Sequence, residues 1–179
     1  MSSPTPEVQR LFFALWPDAA LQSCIHTALE PIVGAHVQPT PVADLHITLV
    51  FLGSTPQAQR HCYEQVAASM SVAPFELSLQ HIGHWPKPRI LWLGPDTQPD
   101  ALLALVQSLN NGLQACGYTP ETRPYQAHMT LARKVSRSLS QARIEPIRWH
   151  VDHFALVASR TESTGVRYRV LETWPLRQR

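Results

Sequence analysis

The chain has 179 residues, of which 44% are apolar and 16% charged, with a formal net charge of +2 and a pI near 8.6. That length buries a core without needing staples, the apolar content excludes a disordered chain, and the mild basicity tolerates a polyanionic partner without demanding one. No stretch reaches the roughly 18 consecutive apolar residues of a membrane span, and the N-terminus MSSPTPEVQR lacks the apolar centre of a signal peptide.

In chain order, QRLFFALW at 9–16 reads as a buried strand. Asp18 is placed to cap a helix over AALQSCIHTALEPIV, which Pro31 helps end. LHITLVFLG at 45–53 is a strand closed by Gly53. Thr55 and Pro56 then open a helix that runs to about Met70, with Thr55 as its cap. FELSLQHIG at 75–83 alternates with period two, and RILWLG at 89–94 continues as a further strand. A helix opens at Pro99 and Asp100 and stops where Gly117 supplies a left-handed end. Strands follow at 126–133, 148–159 and 166–174. The fold class is α+β.

Three cysteines, Cys24, Cys62 and Cys116, lie far apart. An odd count without a close pair predicts reduced, mostly buried thiols in a cytosolic protein rather than a disulfide framework or a Cys-rich zinc site. Arginines thicken late in the chain, from Arg123 to Arg169, where they serve either a phosphate-binding groove or a solvated surface.

The halves repeat. HITL at 46–49 recurs as HMTL at 128–131, an offset of 82 residues, and the helix start at Pro17 recurs at Pro99 in the same register. The expectation is a duplicated strand–helix–strand unit, with two lobes about a cleft and one motif facing in from each lobe.

Alternate side chains share a face of a strand. His46 and Thr48 therefore point one way and Ile47 and Leu49 the other, and His128 and Thr130 oppose Met129 and Leu131 in the same manner. One such motif alone is an ordinary surface or core feature; two in register read as a site. Imidazole titrates near pH 6.5, so a pair can divide the work of acid and base. In-line attack on phosphorus wants such groups on opposite sides, and threonine hydroxyls can donate to the non-bridging oxygens as charge shifts. A strained five-membered cyclic phosphate needs no metal for this chemistry.

These segments, together with RLFFAL at 10–15, LWLG at 91–94, RPYQAHMTLAR at 123–133 and the tail from Phe154 to Leu176, resemble the two-histidine phosphoesterases. Within them the likeness is to the LigT/ThpR branch, the RNA 2′,3′-cyclic phosphodiesterases also called 2′-5′ RNA ligases. The resemblance covers nearly the whole chain. It implies one bilobal domain over 1–179 with two antiparallel sheets and flanking helices around a cleft. It implies hydrolysis of RNA 2′,3′-cyclic phosphates to 2′-phosphomonoesters, with His46 as proton donor and His128 as acceptor; the near-identical motifs do not assign these roles themselves. Thr48 and Thr130 would hold the phosphate, with Arg133 as the cleft arginine, although its strand parity opposes that of His128 and requires a twist or bulge. Phe13 and Tyr125 are candidates to stack on a base, with core packing the alternative. No cofactor or metal is implied. The partners are RNA ends, tRNA fragments among the candidates, or cyclic nucleotides, and the protein is expected to be a cytoplasmic monomer.

Two rival readings share the site or the fold: the reverse reaction, 2′-5′ ligation, and a non-catalytic RNA-binding module. A metal-dependent phosphoesterase is a third. HIGH at 81–84 imitates a synthetase motif, but WPKPR follows where a helix should open. His150 and His153, three apart in one predicted strand, point to opposite faces and share no metal; His26, His36 and His61 have no carboxylate at ligand spacing. There is no glycine-rich phosphate loop and no nucleophile elbow.

Overall fold

The apolar run after Arg10 forms β1 (Val8–Leu15), and Leu11 to Leu15 are all buried because the strand is covered on both faces. Leu11, Phe13 and Leu15 enter the main core, while Phe12 and Ala14 form a second cluster with Ala155 and Val157. The computed structural model describes residues 8–33, 38–136, 142–163 and 165–178, so His36 lies outside the described residues. Within them follow α1 (Ala19–Leu29), the two-residue β2 (Gln38–Pro39), a 3₁₀ turn at Val42–Asp44, β3 (Ile47–Pro56), α2 (Gln57–Ala68), β4 (Phe75–Trp85) and β5 (Ile90–Gly94). Then come α3 (Asp100–Gln114), β6 (Met129–Arg133), β7 (Ala142–Val151), β8 (His153–Glu162) and β9 (Gly165–Pro175).

The helices bury apolar stripes at helical spacing: Ile25 and Leu29 of α1, Tyr63 and Ala67 of α2, and Leu102, Leu105, Leu109 and Leu113 of α3 join one core with the strands. The strand order is β7-β4-β5-β6-β3-β1-β8-β9, with β2 added to β6. Every described pairing is antiparallel. The two central strands meet at a single register pair, Ile47 opposite Met129. In place of the two separate antiparallel sheets expected, one continuous sheet forms, in which two four-stranded arrays join at one seam. The segments related by the 82-residue offset lie symmetrically about it: β1 corresponds to β5, α1 to α3 and β3 to β6.

Local expectations divide. Asp18 caps α1, its Oδ1 accepting from Leu21 N at 2.8 Å. Gly117 takes φ +83° and lets Tyr118 N bond Leu113 O at 3.2 Å, closing α3 as a left-handed glycine does. Gly53 does not close its strand, because a glycine at φ +72° bends β3 without ending its pairing with β1, which continues to Pro56. Thr55 does not cap α2; its hydroxyl is turned back onto Gly53 O at 3.0 Å, and Pro56 holds the cap position without a side-chain bond.

The single strand expected at 148–159 is two, β7 and β8, broken at Asp152, whose carbonyl accepts from Leu176 N. The break sends β7 to β4 and β8 to β1, at opposite halves of the sheet. His150 and His153 therefore belong to different strands, paired with Glu76 and Asp152 respectively. HIGH lies inside β4 and opens no helix.

The cysteine expectation is overturned. Cys62 of α2 and Cys116, just past α3, form a disulfide with Cα atoms 5.8 Å apart, and Cys24 is free and exposed. Sequence separation, 54 residues here, carries no distance information once two helices pack side by side. No helix among the described residues is long and apolar enough to cross a membrane.

Candidate active site

Each His-x-Thr motif begins at the seam. Ile47 and Met129, the paired residues, immediately follow His46 and His128. The apolar members Ile47, Leu49, Met129 and Leu131 are buried, which leaves His46, Thr48, His128 and Thr130 half-buried on the opposite side. All four line one cleft of about 670 Å³. The apolar half of each motif fixes the strand in the core, and strand alternation aims the polar half into the cleft.

Both imidazoles bond a backbone carbonyl two residues upstream. His46 Nδ1 lies 2.6 Å from Asp44 O, and His128 Nδ1 lies 2.8 Å from Gln126 O. A carbonyl only accepts, so Nδ1 carries the proton in both rings and Nε2 is the nitrogen left for chemistry.

The two rings differ in their walls. Trp16 stacks on His46 at 5.0 Å with an 8° tilt, and Phe12 and Tyr168 close in at 5.1 and 5.2 Å. Burial in this cage pushes the His46 pKa from 6.5 down to about 4, against the opposing pull of the Asp44 carbonyl. His128 has the edge of Trp85 at 4.6 Å, and burial lowers its pKa also. The Arg133 guanidinium, which lines the same cleft, adds to the lowering of both. In the free protein at neutral pH the pair is mostly uncharged.

Arg133 reaches the cleft through a bulge. Trp92 of β5 faces Thr130 and Leu91 faces Ala132, so Leu131 has no partner and the parity of β6 flips after it. The same device operates on β3, where Phe13 faces Val50, Ala14 faces Thr48 and Leu49 is skipped. Five residues beyond His46 the flip delivers Phe51 into the cleft, as it delivers Arg133 five beyond His128. Phe51 is 41% exposed, and the Arg10 guanidinium sits 4.9 Å from its ring centroid.

Neither expected stacking residue lines the cleft. Phe13 is fully buried against Phe154 and Trp174, because it falls on the core side of β1. Tyr125 is half-buried, packed against the core, and donates its hydroxyl to Thr48 O at 2.9 Å; desolvation raises its pKa far above the usual phenol range. Sequence reading missed Phe51, although the 82-residue offset that pairs it with Arg133 was the signal for it. It missed Phe12, Trp16 and Tyr168 too, since a cage formed by three separate segments leaves no local pattern. Arg10 and Lys134 add positive charge to the cleft wall, opposite a lone Asp44 among its described residues.

The sequence profile of the 2′-5′ RNA ligase superfamily matches residues 17–162. The chain is 32% identical to an Escherichia coli protein named RNA 2′,3′-cyclic phosphodiesterase, over 96% of this chain and 99% of that one. A Thermus thermophilus protein of the same name is 30% identical, over 94% and 90%. A crystal structure described as a phosphoesterase superposes with a TM-score of 0.87 at 29% identity, covering 96% of this chain and all of that one. The Escherichia coli LigT structure complexed with 3′-AMP gives 0.85 at 30% identity, covering 96% of this chain and 100% of that one. With two His-x-Thr motifs facing one cleft in a sheet of this order, the chain belongs to the 2′-5′ RNA ligase superfamily of two-histidine phosphoesterases.

Proposed function

We propose that the protein hydrolyses terminal 2′,3′-cyclic phosphates on RNA to 2′-phosphomonoesters, by acid–base catalysis between His46 and His128 without a metal. The observation that carries this reading is the pair of imidazoles, each held by Nδ1 with Nε2 left for a shared cleft. Relatives at about a third identity over nearly the whole chain bear the name of this activity.

In the reaction, Nε2 of His128 takes a proton from water as the oxygen attacks phosphorus. The new bond forms as the bond from phosphorus to the 3′ oxygen breaks, and protonated His46 gives that oxygen its proton. A 2′-phosphomonoester and a free 3′ hydroxyl result, and the proton gained by His128 returns to His46 through solvent. Thr48 and Thr130 donate to the non-bridging oxygens and Arg133 neutralises their charge. The phosphate anion also raises the pKa values that burial has lowered, so that one imidazole is charged when substrate is bound. Phe51 offers its exposed face to a base.

The two arrays act as lobes of one domain spanning the chain, each supplying one motif. RNA fragments, those of tRNA included, and 2′,3′-cyclic nucleotides are the substrates in this reading, and the enzyme works as a cytoplasmic monomer. Ligation to a 2′-5′ bond is the same path run backwards, with a 5′ hydroxyl in the place of water. The test is turnover of a 2′,3′-cyclic-phosphate oligonucleotide in EDTA, with product regiochemistry read by phosphorus NMR. His46→Ala and His128→Ala should each lower kcat by about 10²-fold or more. An inert wild type, or variants that match it, returns the protein to the RNA-binding reading.

A further inference from the structure

We infer that Gln22 and Gln98 are positioning residues that set the tautomers of His46 and His128, each by clamping the backbone on both sides of the carbonyl that its histidine bonds. The consequence for catalysis rests on the proposed function; the consequence for the tautomers does not.

Gln22 of α1 is 6% exposed, and it shares only with Thr55 the place of a buried polar side chain among the described residues. Its Nε2 donates to Ala43 O at 3.1 Å and to Leu45 O at 3.3 Å. Those carbonyls flank Asp44, whose own carbonyl accepts from His46 Nδ1. Peptide units are planar. With the units on either side held, the direction of the Asp44 carbonyl between them is fixed.

Gln98, two residues before α3, does the same for the other half. Its Nε2 donates to Tyr125 O at 3.1 Å and its Oε1 accepts from Ala127 N at 2.6 Å. These flank Gln126, whose carbonyl accepts from His128 Nδ1. Ala127 N–H and Gln126 C=O belong to one peptide plane, so holding the first aims the second.

Both clamped segments lie outside the sheet ladder, 41–46 as a turn and loop and 121–128 as coil, where no strand partner orients the carbonyls; at Asp44 the Gln22 clamp adds to the turn's own bond from Leu45 N to Val42 O at 3.2 Å. The device is not a relic of duplication. At the 82-residue offset Gln22 corresponds to Ala104 and Gln98 to Trp16, so the halves reach one arrangement from unrelated positions. A glutamine that merely satisfied buried polar groups would have no reason to bracket this carbonyl in both halves.

The test uses Gln22→Met and Gln98→Met, which keep side-chain length and remove the polar atoms, with Gln98→Glu retaining the acceptor for Ala127 N. Two-bond proton–nitrogen correlations of the ring nitrogens at neutral pH report the tautomers without substrate. Wild type should show Nδ1–H in both rings. Gln22→Met should move His46 alone toward Nε2–H, Gln98→Met should move His128 alone, and Gln98→Glu should restore it. Turnover of the cyclic-phosphate oligonucleotide should fall about tenfold in kcat, the scale of a residue orienting a site histidine, with KM little changed. If Gln22→Met does not fold, the Gln98 pair decides. Rings that keep Nδ1–H in folded Met variants, or a kcat that does not move with the tautomer, overturn the inference. A wild type inert toward the cyclic phosphate sinks the proposed function instead, and the ring spectra still decide the tautomer assignment.

Discussion

The Tyr125 hydroxyl donates to the Thr48 carbonyl at 2.9 Å, tying the residue three before one site histidine to the residue two after the other. The bond crosses the seam where the arrays share one register pair. Tyr125→Phe keeps the ring in its core position and deletes the tie. It should cost about 1 kcal/mol of stability, the net worth of one such bond, read by urea unfolding. It should also lower kcat, because the relative placement of the two motifs loosens. Unchanged kcat and an unchanged midpoint would show the tie to be idle.

The titration of the imidazoles makes a directional prediction. Burial lowers His46 to about 4 and lowers His128 as well in the free protein. The profile of kcat/KM reports free-enzyme groups, so its maximum should lie below the unperturbed imidazole value of about 6.5. The bound anion raises both groups, so the kcat profile should be displaced to higher pH. Coincident profiles centred above neutrality would falsify the desolvated pair.

Linkage gives the same shift a second readout. The unfolded chain binds a proton at His46 near pH 6.5 that the folded site refuses until about 4. Stability should therefore fall as pH drops through that window, and His46→Ala should flatten the decline. Unfolding midpoints between pH 7 and pH 4 measure it.

Phe51 and Phe13 should separate binding from folding. Phe51→Ala removes an exposed ring and should raise the dissociation constant for a 2′-nucleotide product, at about 1–3 kcal/mol per stacked base, with unfolding unchanged. Phe13→Ala empties a core site and should cost about 3–5 kcal/mol of stability. Calorimetric titration and thermal unfolding of the pair give the comparison.

The disulfide lies on the helix side of the sheet, away from the cleft residues. Cys116→Ala should lower Tm, within the ceiling of about 4 kcal/mol for a loop of this length, and leave kcat as it was. A loss of turnover would mean that the α2–α3 contact reaches the cleft.

The strands β1, β4, β5 and β9, the helix caps at Asp18 and Gly117 and the pairing of the two motifs were legible in the sequence because each is a local pattern: alternation, a capping residue, a repeat in register. The bulge at Leu131 was legible only by implication, through the parity that Arg133 demanded, and the one at Leu49 was not read at all. Phe13 was misjudged because burial depends on which face of a strand receives the helices, and β1 is apolar on both. Phe51 was missed because a bulge in β3, not its place in the alternation, brings it to the cleft. Cys62 with Cys116, and Gln22 and Gln98 with their carbonyls, are contacts between elements far apart in the chain, and neither periodicity nor composition encodes them. The division between β7 and β8 escaped because the residues on both sides of Asp152 suit a strand equally well.

A single ladder rung cannot by itself hold two arrays in register, so the spacing of the imidazoles beside it is kept by links elsewhere. The Tyr125 hydroxyl on Thr48 O, β2 on the edge of β6 and the Cys62–Cys116 bridge between α2 and α3 each fasten one half of the chain to the other, and the site inherits its width from this distributed stitching rather than from the strands that carry it.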